Sequence, residues 1–137
     1  MVDISTDGRI CPLWHAAIAL IGTAATYLWG GWDTVIKALV VLVCLDYATG
    51  VIAAAVQGKL DSAIGARGIA RKVMIFAVVA AANILDSAGG LGEPVLRTAT
   101  AIWYAANEAI SITENAGEAG VPIPERLCRM LARLRDE

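Results

Sequence analysis

Residues Val35–Gln57 read VIKALVVLVCLDYATGVIAAAVQ. Ala38 to Leu45 is unbroken apolar sequence. A bilayer core about 30 Å thick needs about 20 helical residues at 1.5 Å each, and this stretch supplies them. Its second half then carries Asp46, Tyr47 and Thr49. An ionisable group at bilayer depth costs about 2.5–3.5 kcal/mol on insertion scales, so Asp46 and its neighbour Thr49 are marked as intramembrane polar candidates. Asp46, Thr49, Gly50, Ala53 and Gln57 share one helical face. The bland reading of Asp46 is a pairing with a buried donor; the sharper one is a proton- or ion-coupling carboxylate.

Outward from this stretch the same pattern recurs. Upstream, residues 13–29 form a first apolar segment, with Trp14 at one end and Tyr27, Trp29 and Trp32 at the other, like two interfacial aromatic belts. Asp3, Asp7 and a single Arg9 precede it, which is not the basic start of a signal peptide, so the segment is expected to remain in the working protein. Downstream, a third segment covers 69–88 and ends on Asn83 and Asp86, two more intramembrane polar candidates. A fourth covers 94–115 and opens on Pro94, a residue suited to a first helical turn.

Composition agrees. Of 137 residues, 58% are hydrophobic before the 13 Gly are counted, and only 18% are charged. Soluble domains carry roughly 25% charged residues. Mean hydropathy is +0.64. A soluble enzyme, a disordered chain and a nucleic-acid binder are therefore disfavoured. With 26 Ala and one Phe, contact between helices is expected through close backbone approach over small residues. Gly22, Thr26 and Gly30 make one such series, Gly50, Ala54 and Gly58 a second, and Ala101, Ala105 and Ala109 a third, continued by Thr113. The expected fold is an all-α membrane protein of one domain, with four (alternatively three) transmembrane helices and a short amphipathic C-terminal helix.

The connector 58–72 carries Lys59, Arg67, Arg71 and Lys72 against Asp61, and its Gly65 and Gly68 are expected to break a long helix. The tail carries Arg126, Arg129, Arg133 and Arg135. Basic flanks lie in the cytoplasm, and two spans separate these sets, so both are expected on the cytoplasmic side. Within 125–135, Leu127, Met130, Leu131 and Leu134 make one apolar stripe opposite the arginines. That helix suits an anionic membrane surface or self-association equally.

The fourth segment is the most informative. Tyr104, Asn107, Glu108, Ser111, Glu114 and Asn115 share a polar face, the alanine series lies beside it, and Ala99, Trp103, Ala106 and Ile110 form a greasy third face. A helix with these three faces can line a water-filled oligomeric hole; the plainer reading is a polar seam buried inside one bundle. Cys11, Cys44 and Cys128 stand far apart, and His15 is the lone His, so neither a disulfide framework nor a metal site is expected. No catalytic constellation or phosphate loop is present, so no enzyme activity and no cofactor are expected. The basic connector is explained by topology and anionic headgroups rather than by nucleic acid.

An ordered set of short motifs now stands out. Leu45-Asp46-Tyr47-Ala48-Thr49-Gly50 closes an apolar run, followed by Lys59-Leu60-Asp61-Ser62, Ile64-Gly65, Gly68-Ile69 and Arg71-Lys72. Then come Asn83-Ile84-Leu85-Asp86, Tyr104 to Ile112, Glu114-Asn115 and Gly120-Val121-Pro122-Ile123-Pro124. In this order they resemble the toxin-secretion/phage-lysis holin family over Leu45 to Leu131. The resemblance implies a multi-pass protein of the bacterial cytoplasmic membrane that forms homo-oligomers in the lipid bilayer. At a set time these open lesions that release a murein-degrading endolysin or collapse the proton-motive force; relatives assist toxin export. The family's usual three spans leave the first segment as a departure. The competing classes are a small ion- or proton-coupled channel or transporter built on Asp46 and Glu108, and an antiholin-like scaffold with no hole of its own.

Overall fold

The computed structural model describes residues 10–90 and 92–135. Among them the chain forms five helices: α1 (Ile10–Trp29), α2 (Thr34–Val56), α3 (Ser62–Gly89), α4 (Val95–Glu118) and α5 (Glu125–Arg135), with no strand. Thr34–Val56 and Gly65–Gly89 are each long and apolar enough to cross a membrane.

Two expected boundaries move. The basic connector is mostly helix: only residues 57–61 separate α2 from α3, and α3 runs straight through Gly65 and Gly68. The backbone turns at Gly58, which adopts a φ of +68°, and Asp61 then caps α3 by accepting the Ala63 N–H at 2.8 Å. A helix of this length outweighs the cost of two glycines, about 1 kcal/mol each. Pro94 likewise stands just outside α4 as its cap residue rather than inside the first turn.

Side-chain contacts set the directions. Asp33 at the start of α2 pairs with Arg97 at the start of α4, while Gln57 after α2 donates to Glu118 at the end of α4 at 3.0 Å. Helices α2 and α4 therefore run the same way. Asp86, near the end of α3, reaches the start of α4, so α3 runs against both. Ile36, Leu39, Val43, Ile75, Val79 and Ala101 form the core where the three meet. On α2 and α3 these residues recur at helical spacing, which gives each a buried stripe; α4 contributes Ala101.

Helix α1 joins through its last two turns. Gly22, Ala25 and Trp29 face the bundle, whereas Leu13 to Ile21 are exposed. The Trp29 indole N–H donates to the Phe76 carbonyl at 3.0 Å, and its ring meets Phe76 edge-on at 5.6 Å. Gly30 ends α1 with a φ of +71°; a Cβ there would meet Asn83 Oδ1 at 2.4 Å and Arg97 Nη1 at 3.0 Å. Left-handed backbone and close approach both call for Gly. Gly30 and Gly58 thus act as turn residues and not as parts of helix-packing stripes, and a Cβ on Gly22 would meet nothing within 4 Å. Gly50 does pack, against the Asn115 side chain.

Candidate functional site

Polar side chains gather in two places. The first lies midway along the three-helix core. On α2 the stripe Ile36, Leu39, Val43 continues to Asp46; on α3 the stripe Val79, Ile75 continues backwards to Lys72; on α4 Arg97, Ala101 and Tyr104 continue to Glu108. The same helical phase that buries the apolar residues therefore turns these three ionisable groups toward each other. Lys72 Nζ lies 2.5 Å from Asp46 Oδ2 and 2.5 Å from Glu108 Oε2. The three side chains are between 9% and 14% exposed, so they are largely removed from solvent. Asn115 completes the set: its Nδ2 donates to Asp46 Oδ1 at 2.9 Å and to Thr49 Oγ1 at 3.1 Å.

Two charges of one sign share one counter-charge here. An unpaired carboxylate in this setting would carry a heavy desolvation cost, and one ammonium answers both. Cavities of about 220 and 290 Å³ flank the triad. Both touch Asp46, Lys72 and Ser111; the first adds Tyr47 and Asn115, the second Tyr104, Asn107 and Glu108.

The second cluster sits at the end where α1 turns into α2, roughly 17–20 Å from the triad at 1.5 Å per residue. Asp33 caps α2 by accepting the Ile36 N–H at 3.0 Å and forms an ion pair with Arg97. The Ile36 N–H and then the Arg97 guanidinium hold its carboxyl below the usual carboxylate range, against the opposing pull of burial. Arg97, which is 4% exposed, also donates to the Trp29 carbonyl at 2.7 Å. Asp86 accepts the Leu96 and Arg97 amides at 3.0 and 2.8 Å, and so caps the start of α4. Asn83 donates to the Tyr27 carbonyl at 3.2 Å. Buried helix ends leave orphan backbone groups, and this cluster satisfies them on three helices at once.

The expected polar face of α4 is thus divided. Glu108 is buried; Tyr104, Asn107, Ser111 and Asn115 are half-buried; Glu114 is exposed. Asn107 turns its amide back to the Trp103 carbonyl at 2.9 Å. Ala101 is fully buried, while Ala105, Ala109 and Thr113 are half-buried. Ile110, expected on the greasy face, lies in the core, and Trp103, Ala99 and Ala106 remain outside. Lys72 was expected among the cytoplasmic bases with Lys59, Arg67 and Arg71; those three are exposed, but Lys72 points into the bundle. Arg97 and Asp33 are not among the residues that the sequence pattern marks. Their signal was available: each stands at a helix start, and Arg97 shares the buried stripe of Ala101. Ala54 is half-buried beside the first cavity. Of the tail arginines, Arg126, Arg129 and Arg133 are exposed, and the side chain of Arg135 lies outside the described residues, as does that of Cys11. Among the described residues no cluster of three His, Cys, Asp or Glu side chains gathers that could hold a metal.

An all-helical membrane protein, with its buried ionisable groups paired between helices, is the class that fold and site define. The profile of the Bacteriophage holin family matches residues 23–136, and the chain belongs to that family. The family is a non-enzymatic one, as the sequence reading expects. A probable holin of Bacillus phage phi105 is 43% identical over 86 residues, covering 63% of each chain. An uncharacterized 14.9 kDa protein of Clostridium perfringens is 42% identical over 120 residues, 88% of this chain and 91% of its own length. The YqxH protein of Bacillus subtilis is 39% identical over 114 residues, 83% and 80% of the two chains. No solved structure matches the chain.

Proposed function

We propose that this chain is a phage holin that assembles in the bacterial cytoplasmic membrane and opens a lesion for a murein-degrading endolysin. In this reading α1 to α4 all span, as residues 13–29, 35–57, 69–88 and 94–115 of the sequence pattern expect. The basic α2–α3 turn, the tail and both termini are then cytoplasmic. The observation that carries it is the Lys72 bridge between Asp46 and Glu108. One side of α4 bears groups that belong in water, and in the single chain one ammonium from α3 pairs with the buried charge among them, Glu108.

Opening then has a physical form. Many subunits exchange the internal Lys72 contacts for a shared aqueous gap lined by Asn107, Glu108 and Ser111. The exchange is collective, because one polar stripe cannot enclose a channel. Subunit density and membrane potential acting on the charged flanks bias the two states.

Expression of the chain alone in bacteria, with a co-expressed endolysin, is the test. The expected result is abrupt loss of turbidity after a delay, with endolysin activity appearing outside the inner membrane. Glu108→Leu should abolish or strongly retime it. Continued growth at full expression, or unchanged timing in the variant, overturns the reading. The same triad supports a second reading, a small ion channel; ion flux in liposomes without passage of folded protein would establish that instead.

A further inference from the structure

Helix α5 stands apart from everything described above. It follows α4 after residues 119–124, a stretch that extends at most about 20–25 Å. That stretch is also folded back: the Gly120 N–H bonds to the Gly117 carbonyl and the Val121 N–H to the Ala116 carbonyl, each at 3.0 Å. Pro124 then starts α5 by accepting the Leu127 N–H at 2.9 Å. Helix α5 is therefore held close to the end of α4. That end is also where Lys59 and Arg67 lie exposed, because Gln57 and Glu118 meet there.

The surface of α5 is two-sided. Leu127 is 41% and Met130 65% exposed, on the apolar stripe read from the sequence. Arg126, Arg129 and Arg133 occupy the remaining sides and are exposed; Arg129 meets Glu125 across one turn at 3.7 Å. We infer that α5 lies on the anionic lipid headgroups of the leaflet next to it, with Leu127 and Met130 sunk among the acyl chains and the arginines on phosphate. An apolar stripe flanked by arginines is the pattern of helices that lie in the interface plane. The leaflet is the occupant that answers both halves of the surface. A second α5 would cover the stripe but crowd arginines of one sign, beside Lys59 and Arg67 at the same end of the bundle. An anionic surface neutralises all of them, and the short tether keeps it within reach. The inference holds whether or not the assembly opens a hole.

The test uses the full chain at one copy per lipid nanodisc, with hydrogen exchange read along α5. In phosphatidylglycerol discs the α5 amides should exchange about tenfold or more slowly than in phosphatidylcholine discs. Added salt should erase most of that difference by screening. Arg126→Gln/Arg129→Gln/Arg133→Gln and, separately, Leu127→Gln/Met130→Gln should each remove the protection while leaving exchange in α2 unchanged. Equal exchange in the two lipids overturns the inference. So does protection that appears only when two copies share a disc, whatever the lipid, since that would place a second α5 on the stripe.

Discussion

The two polar clusters use similar residues for different ends. At the α1–α2 turn, Asp33, Asn83, Asp86 and Arg97 spend most of their bonds on backbone groups at helix ends. Midway along the core, Asp46, Lys72 and Glu108 bond chiefly to one another, between helix middles whose backbones are already satisfied. The first arrangement cannot be exchanged without unmaking helix ends. The second can be traded for water, or for another subunit, with every helix intact. Proximity to a helix terminus thus separates a polar group that builds the bundle from one that can be released.

The sharpest way to break this comparison is Lys72→Met. It leaves two buried carboxylates without a counter-charge, and stranding a buried charge costs about 3–5 kcal/mol. Thermal unfolding in detergent, followed by tryptophan fluorescence, should register that loss, and lysis should come early. Adding Asp46→Asn and Glu108→Gln should recover most of the stability. Next comes Arg97→Ala, which removes the Asp33 pair and the bond to the Trp29 carbonyl, a loss of about 2–3 kcal/mol. Its signature is different: exchange should accelerate at the end of α1 and the start of α4, while lysis timing shifts only as far as stability does. Asp86→Ala removes two amide acceptors at the start of α4 and should cost about 1–2 kcal/mol, visible as fraying of that turn.

The smallest effect expected is that of pH on Asp33. Its carboxyl is held low in the folded chain, so its contribution is complete above the ordinary carboxylate range and is lost as pH falls through the lower folded value. Asp33→Asn should be slightly less stable at neutral pH and should lack that part of the acid loss. A variant with an unchanged acid limb would mean that the Ile36 and Arg97 bonds to Asp33 carry no stability.

Much of the bundle was legible in the residues. The apolar run of α2, the polar residues that interrupt it and the amphipathic α5 all follow from local composition and helical spacing. Asp46, Glu108 and Asn115 were legible as polar groups on otherwise apolar helices. Lys72 reads as a surface base because it closes the run of Arg67 and Arg71, and a charge-rich stretch looks like a surface connector. Its true place could be found by continuing the stripe of Val79 and Ile75 back one turn. Ile110 was misplaced for the converse reason: hydrophobicity alone does not tell a core face from a lipid face.

The sequence by itself determined that this chain is helical and suited to a membrane, and which residues are too polar to face acyl chains unpaired. Period and side-chain chemistry are local properties, so they can be read along the chain. Only the tertiary structure decided the pairing: Lys72 with Asp46 and Glu108, Arg97 with Asp33, Asp86 with the start of α4. These contacts join residues 10 to 64 positions apart, and they depend on how three helices are rotated about their axes, which no local pattern fixes.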